Sequence, residues 1–240
     1  MPRFALSFAA GIILIHITVF SLYAQEAASG EDWFVPGTLP VQDQLLYAQA
    51  ALPELQSKLS VLDTLGGRAR SGGISPADRN ILFILRHIAL ESTKARSTAG
   101  KTPANRDFPE ARRASCEVLG YIGGERSVQI LLDVLRFDDE PMVLSDALSA
   151  LAKTAFFIDS DIIEVLTRIL EKKILVSHDA HLTYAFIFAL DRLCAAPPGI
   201  RDERIFLGLL KFLDGPFPLI IKNRAKLIVE KLKNFERGEE

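Results

Sequence analysis

The chain has 240 residues, of which 49% are hydrophobic and 24% charged, and its formal net charge is -2. That length fits one domain or two small ones and can bury a sizeable core without disulfide or metal support. The near-neutral charge argues against nucleic acid as a partner, because phosphate backbones draw strongly basic domains.

Residues 1–24 open with Arg3 as a short positive region, and Phe4 to Ala24 then carry no Asp, Glu, Lys or Arg before the polar pair Gln25-Glu26. This pattern predicts a secretory signal peptide over 1–24, cut after Ala24, and hence a periplasmic or secreted chain. The alternative is an uncleaved anchor at the inner membrane, facing the periplasm, since an apolar run of about 20 residues also spans a bilayer. No Cys follows the run, which leaves a lipoprotein anchor without its attachment point. Residues 25–40 are polar, contain Gly and Pro, and lack periodicity. They predict a linker, in which Trp33, the single Trp of the chain, sits beside Phe34 and Val35.

Residues 41–95 predict an N-terminal helical pair. Leu45, Leu46, Ala50, Leu55, Leu59 and Leu62 fall near helical spacing over 41–65, with Pro53 as a kink or split. The run "GGRARSGGIS" breaks the chain. "SPAD" then starts a second helix, with Ser75 as N-cap and Pro76 in the first turn, which runs to about Thr93 and buries Ile81, Leu82, Leu85, Ile88 and Ala89. Residues 96–107 predict a loop, rich in breakers and carrying Arg96, Lys101 and Arg106 just after Lys94.

From 108 to 237 one helix follows another. Asp107 and Glu110 have capping-box spacing for a helix over 108–122, a second helix covers 126–137, and "DDEP" caps a third. A fixed internal period is visible here. Pro109 and Pro141 lie 32 residues apart, as do Leu119 and Leu151, each leucine followed by a small residue (Gly120, Ala152). Val128, Leu131, Leu132 and Leu135 form a stripe that Ile162, Val165, Leu166 and Ile169 repeat 34 residues later. Ala189-Leu190 matches Ala150-Leu151 in a third first-helix, and Ile205, Leu209 and Phe212 continue the second-helix stripe with Gly208 at its remaining position. A last helix covers about 218–235. Each unit is an antiparallel helix pair that buries its faces only by stacking on neighbours. The expected fold is therefore all-α, an α-solenoid of stacked helix pairs.

"PEARRASCEVLGYIGGERSVQILLDVL" resembles a HEAT-like repeat of the short type named after phycobilisome lyases, through Arg112, Arg113, Ala114, Leu119, Gly120, Ile122 and Gly123. The second unit departs from the pattern, with Ser145-Asp146 in place of Arg-Arg. The resemblance implies an armadillo-like superhelix that binds or scaffolds proteins. The lyase members attach a bilin, and no bilin site is legible in this chain.

Motifs for chemistry are sparse. No P-loop, dinucleotide fingerprint, nucleophile elbow, H-E-x-x-H or paired-Cys zinc motif occurs. His178, Asp179 and His181 cluster at a helix start, where Ser177 capping and the Asp179 charge explain them better than a metal does. Cys116 and Cys194 fall in different units and read as buried thiols rather than a disulfide. The expectation is thus a non-enzymatic scaffold or adaptor with no cofactor and no metal, binding a protein partner and touching a membrane only through an uncleaved N-terminus. An enzyme would need a concave polar pocket with perturbed ionisable groups. Charge is uneven: residues 68–113 are basic and 127–191 acidic, an asymmetry able to steer a partner. Because such arrays bind along the face of their second helices, the predicted contact residues are Gln129, Asp133, Arg136, Glu164, Thr167, Arg168 and Lys211.

Overall fold

The computed structural model describes residues 40–93, 107–154, 160–196, 199–200 and 202–236. The signal or anchor over 1–24, the linker with Trp33 and most of the 96–107 loop lie outside the described residues. All regular elements among those described are helical. They are α1 (Val41–Ala50), α2 (Leu55–Arg70), α3 (Arg79–Ala89), α4 (Pro109–Ile122), α5 (Glu125–Phe137), α6 (Pro141–Thr154), α7 (Ser160–Ile169), α8 (Ala180–Ala195), α9 (Glu203–Asp214) and α10 (Leu219–Glu236). Helix α7 runs on through a π-helical turn (Leu170–Ile174) into a last α turn (Leu175–Ser177).

The N-terminal part differs from the expected pair: three helices stand where two were predicted. Pro53 splits the first stretch completely into α1 and α2, since proline denies the backbone an amide donor. Helix α2 then continues through Gly66-Gly67, where the sequence suggested a break. Two mid-helix glycines cost about 1 kcal/mol each. Burial of Val61, Leu62, Leu65 and Ala69 offsets that cost, and at Gly66 an added Cβ would already stand 3.4 Å from Val118 of α4. Helix α3 begins later than "SPAD" suggested. Ser75 closes a turn instead, its carbonyl accepting from Asp78 N at 2.9 Å and its Oγ from Ala77 N at 3.2 Å.

The helices form two rows. Helices α2, α4, α6, α8 and α10 pack successively side by side as the first-helix row; α3, α5, α7 and α9 form the second-helix row, and α1 covers one end by packing on α2 and α3. Second helices also lean on the first helix of the next unit, α3 on α4, α5 on α6 and α9 on α10, while α7 reaches α8 through its π-helical turn. The core is therefore a continuous seam rather than a central bundle, running from Tyr47 and Val61 through Leu119, Leu148 and Leu190 to Phe212 and Ile228, all buried. This is an α-solenoid.

Small residues fix how closely the units stack. An added Cβ on Gly120 would meet the Cβ of Ala150 at 3.0 Å and its Cα at 3.2 Å, so α4 and α6 approach nearly backbone to backbone. Between α7 and α9 the same part is played by Gly208, whose missing Cβ is the space occupied by Leu170 of the π-helical turn. The Gly-Gly turn between α4 and α5 needs both glycines, because both take positive φ (68° and 82°) and a Cβ on Gly124 would fall 2.6 Å from Pro76.

Ion pairs join the units across the seam. Arg112, 5% exposed, donates from Nε to Asp138 Oδ2 at 2.7 Å and from Nη1 to Asp107, tying α4 to the turn between α5 and α6. Asp107 thus serves Arg112 rather than capping α4; Phe108 holds the cap position with no side-chain bond. Lys58, fully buried on α2, donates to the Ala50 carbonyl at 2.7 Å, pairs with Glu91 at 2.9 Å and lies 5.9 Å from the Phe108 ring centroid. One ammonium thereby gathers the end of α1, the end of α3 and the approach to α4.

Candidate docking surfaces

The second-helix row carries the residues that periodicity nominated for contact. Gln129, Glu164, Arg168 and Lys211 are exposed on α5, α7 and α9. Thr167 is not available: it is 7% exposed and its Oγ1 donates to the Ile163 carbonyl at 2.8 Å, as a buried threonine does inside a helix. Asp133 and Arg136 are partly buried members of a ladder along three successive second helices. Arg86 Nη2 lies 3.5 Å from Asp133, Asp133 lies 3.5 Å from Arg136 Nη1, and Arg136 Nη2 lies 2.8 Å from Asp161. Burial disfavours the Arg136 charge, but the bonds to Asp161 and Asp133 outweigh it and its pKa rises. These two residues hold units together before they meet any partner.

The uneven charge along the sequence has the same outcome. Basic Arg86 and Arg113 pair with acidic Asp133 and Asp146 of the following units, and Arg112 with Asp138 in the turn that leads to the next one. The asymmetry read as a steering field is, at these positions, neutralised inside the fold. Separation along the chain becomes adjacency once units stack.

A second surface lies on the outer side of the first-helix row, where no contact residue was predicted. Between α4 and α6 runs a groove of about 410 Å³ lined by Glu110, Arg113, Ala114, Glu117, Asp146, Ser149, Ala150 and Lys153. Its floor is made by small side chains, the outer continuation of the Gly120–Ala150 approach. Arg113 Nε bonds Asp146 Oδ2 at 2.7 Å across it. At one end stands Tyr121, 41% exposed, with Arg70 and Lys153 over its ring at 5.7 and 5.4 Å and its hydroxyl donating to Glu117 at 3.2 Å. Two units share a tyrosine flanked by two cations, a fixed ion pair and rim carboxylates in one concave strip. In the repeat register Leu190 matches Leu151 and Leu119, so Phe188 on α8 takes the place of Ser149 and Glu117, and Tyr184 lies one turn before it. Both are exposed, at 36% and 64%.

The other sequence candidates separate. His178 takes a left-handed conformation (φ 55°) after the last turn of α7 and rests on Phe217, ring centroids 5.2 Å apart. His181 is exposed on α8. Asp179, not Ser177, caps α8, accepting from Leu182 N at 2.8 Å. Among the described residues no group of His, Cys, Asp and Glu is arranged to hold a metal. Cys116 and Cys194 are free, buried thiols on α4 and α8, with α6 between them. Burial pushes both thiols up, Cys194 to about 11.

The groove was missed because its walls come from side chains on two successive units, Glu110 to Glu117 on α4 and Asp146 to Lys153 on α6, whose meeting depends on the stacking offset. The one local trace is the alternation of small and charged residues on the outer faces of α4 and α6.

A family model described as HEAT repeats matches residues 103–180, which takes in α4, α5, α6 and α7. None of the curated proteins matches the chain significantly. The match covers the groove and the Arg86–Asp161 ladder's last two helices, so both surfaces lie largely within the part of the chain that is similar to HEAT repeats.

Proposed function

We propose that the chain is an exported, non-catalytic adaptor of the cell envelope that holds an extended segment of a protein partner in the groove between α4 and α6. The observation that carries this reading is the groove itself, a concave strip with small floor residues, exposed Tyr121 at its end and carboxylates of Glu110 and Glu117 on its rim. Tyrosine and arginine at the edge of a concavity are the residue types that dominate protein contact energies. HEAT repeats in general mediate protein–protein interaction, and the short phycobilisome-lyase type is the variety that Arg112-Arg113-Ala114 and Leu119-Gly120 resemble. Export rests on the N-terminal segment, whose apolar run ends at Ala24. The exposed Gln129, Glu164, Arg168 and Lys211 offer the competing surface.

A photo-crosslinking amino acid placed at Glu117 and, separately, at Glu164 tests the two in intact cells. Adducts from position 117 that vanish in Tyr121→Ala and Lys153→Glu chains support the groove. Adducts from position 164 alone refute it in favour of the second-helix row. Mass spectrometry of the mature N-terminus tests export: a chain starting at Gln25 has lost its leader, and one retaining Met1 to Ala24 is tethered.

A further inference from the structure

The last helix of the stack has an outer face that the rest of the chain leaves uncovered. Helix α10 buries Ile221, Ala225, Ile228, Val229 and Leu232 against α8 and α9. At 100° per residue these five occupy one side. The opposite crest carries Leu219, Ile220 and Leu227, which are 69%, 78% and 55% exposed, together with exposed Asn223 and Glu230. Cations line both flanks of this crest. On one flank Arg224 and Lys231 both reach Asp191 of α8, at 2.6 and 2.8 Å. On the other, Lys222, Lys226 and Lys233 lie in a row at i, i+4 and i+11, with no carboxylate partner among the described residues. Arg224 and Lys231 are fixed by their pairing, while the three lysines on the second flank are unengaged.

We propose that this face docks on an anionic lipid surface, with Leu219, Ile220 and Leu227 entering the interfacial region and Lys222, Lys226 and Lys233 meeting the headgroups. A convex ridge with apolar tips and flanking lysines suits a plane of negative charge, into which long lysine stems extend beside the buried tips. A second copy is disfavoured on charge. Two α10 faces brought together by a two-fold axis would oppose cations to cations. Another exposed apolar stripe, Val41, Leu45 and Leu52 around α1, has Asp43 and Glu54 as nearby carboxylates, and these already accept from Asn80 at 3.1 Å and from Ser57 at 3.3 Å. This attachment is independent of the groove and of whether the N-terminal segment is removed. Among the described residues no helix is long and apolar enough to cross a bilayer, so the contact is peripheral.

The test is co-sedimentation of the full chain with phosphatidylcholine vesicles and with vesicles in which part of that lipid is phosphatidylglycerol. The N-terminal apolar run would bind both kinds, and Arg3 adds the same anionic preference to every variant, so the readout is the ratio between them and its change on substitution. The wild-type chain is expected to favour the anionic vesicles, and added salt to erode that preference. Each surface lysine is worth about fivefold in partitioning. The K222Q/K226Q/K233Q chain should therefore lose on the order of a hundredfold of the preference. The I220S/L227S chain should bind anionic vesicles more weakly while keeping its salt dependence. Ile220, Lys226, Leu227 and Lys233 are exposed and Lys222 is half-buried at the edge of the packed side, and circular dichroism checks that the variants fold. A wild-type ratio near one, or a triple variant that matches wild type, overturns the proposal. So does concentration-dependent sedimentation without vesicles that the I220S/L227S change abolishes, which would assign the face to a second copy.

Discussion

Replacing Arg112 by Met removes the guanidinium that joins α4 to the α5–α6 turn while keeping a long apolar stem in the same space. The Arg112 side chain is 6% exposed and that of Asp138 is 3% exposed, so the pair is effectively out of water. Asp107, at 54% exposed, sits at the surface, and its bond to Arg112 contributes little. After the change Asp138 keeps only the Glu140 amide, at 2.9 Å, for a carboxylate that cannot reach solvent. Breaking one side of such a buried pair costs about 3–5 kcal/mol, against a total stability of about 5–15 kcal/mol for a domain. Asp138→Ala should cost a similar amount, since it strands the buried Arg112 charge and also removes the acceptor of the Glu140 amide. The R112M/D138A chain should be much less destabilised than the two single changes added together, because no uncompensated charge remains. Urea unfolding followed by circular dichroism measures all four corners of this cycle. A single-variant cost under about 1 kcal/mol, or strict additivity, would refute the claim that the pair bridges the units.

Three further outcomes follow from the packing and charges. Gly120→Val should destabilise the chain by about 1–3 kcal/mol or more in thermal or urea unfolding, because the nearest obstacle is the Ala150 backbone, which cannot swing aside as a side-chain tip would. Asp191→Asn should cost about 0.5–1 kcal/mol at neutral pH, since both cations on Asp191 are about half exposed. Burial raises the Asp191 pKa but the Lys231 and Arg224 bonds lower it further, so the net shift is downward. A depressed carboxylate stabilises above its unfolded pKa of about 3.9 and loses that contribution as pH falls through the folded value. The difference between wild type and D191N should therefore shrink below about pH 4 in an acid series of urea midpoints. Cys116 and Cys194 should resist Ellman's reagent at mildly alkaline pH in the native chain and react when urea unfolds it; rapid native labelling would show that the seam opens at α4 or α8.

Much of this architecture is legible in the primary structure because its determinants are local. The Val128–Leu135 stripe, the Pro109 and Pro141 starts and the Gly123-Gly124 turn each act within one helix or one turn, through periodicity, a fixed φ or a missing Cβ. The stacking of such pairs into an α-solenoid follows, since a pair alone leaves apolar surface in water. The tertiary structure decided what depends on offset between units. It carried α2 through Gly66-Gly67 by packing against Val118, set the π-helical turn at Leu170 against Gly208, and turned Thr167 inward. It also brought Arg113 to Asp146 and Arg86 to Asp133, leaving an open groove on the row where no contact was expected. A sequence states which side chains share a helix face. Which neighbour that face meets depends on shifts of a few ångströms between helices, and those are settled only by the packing of the whole stack.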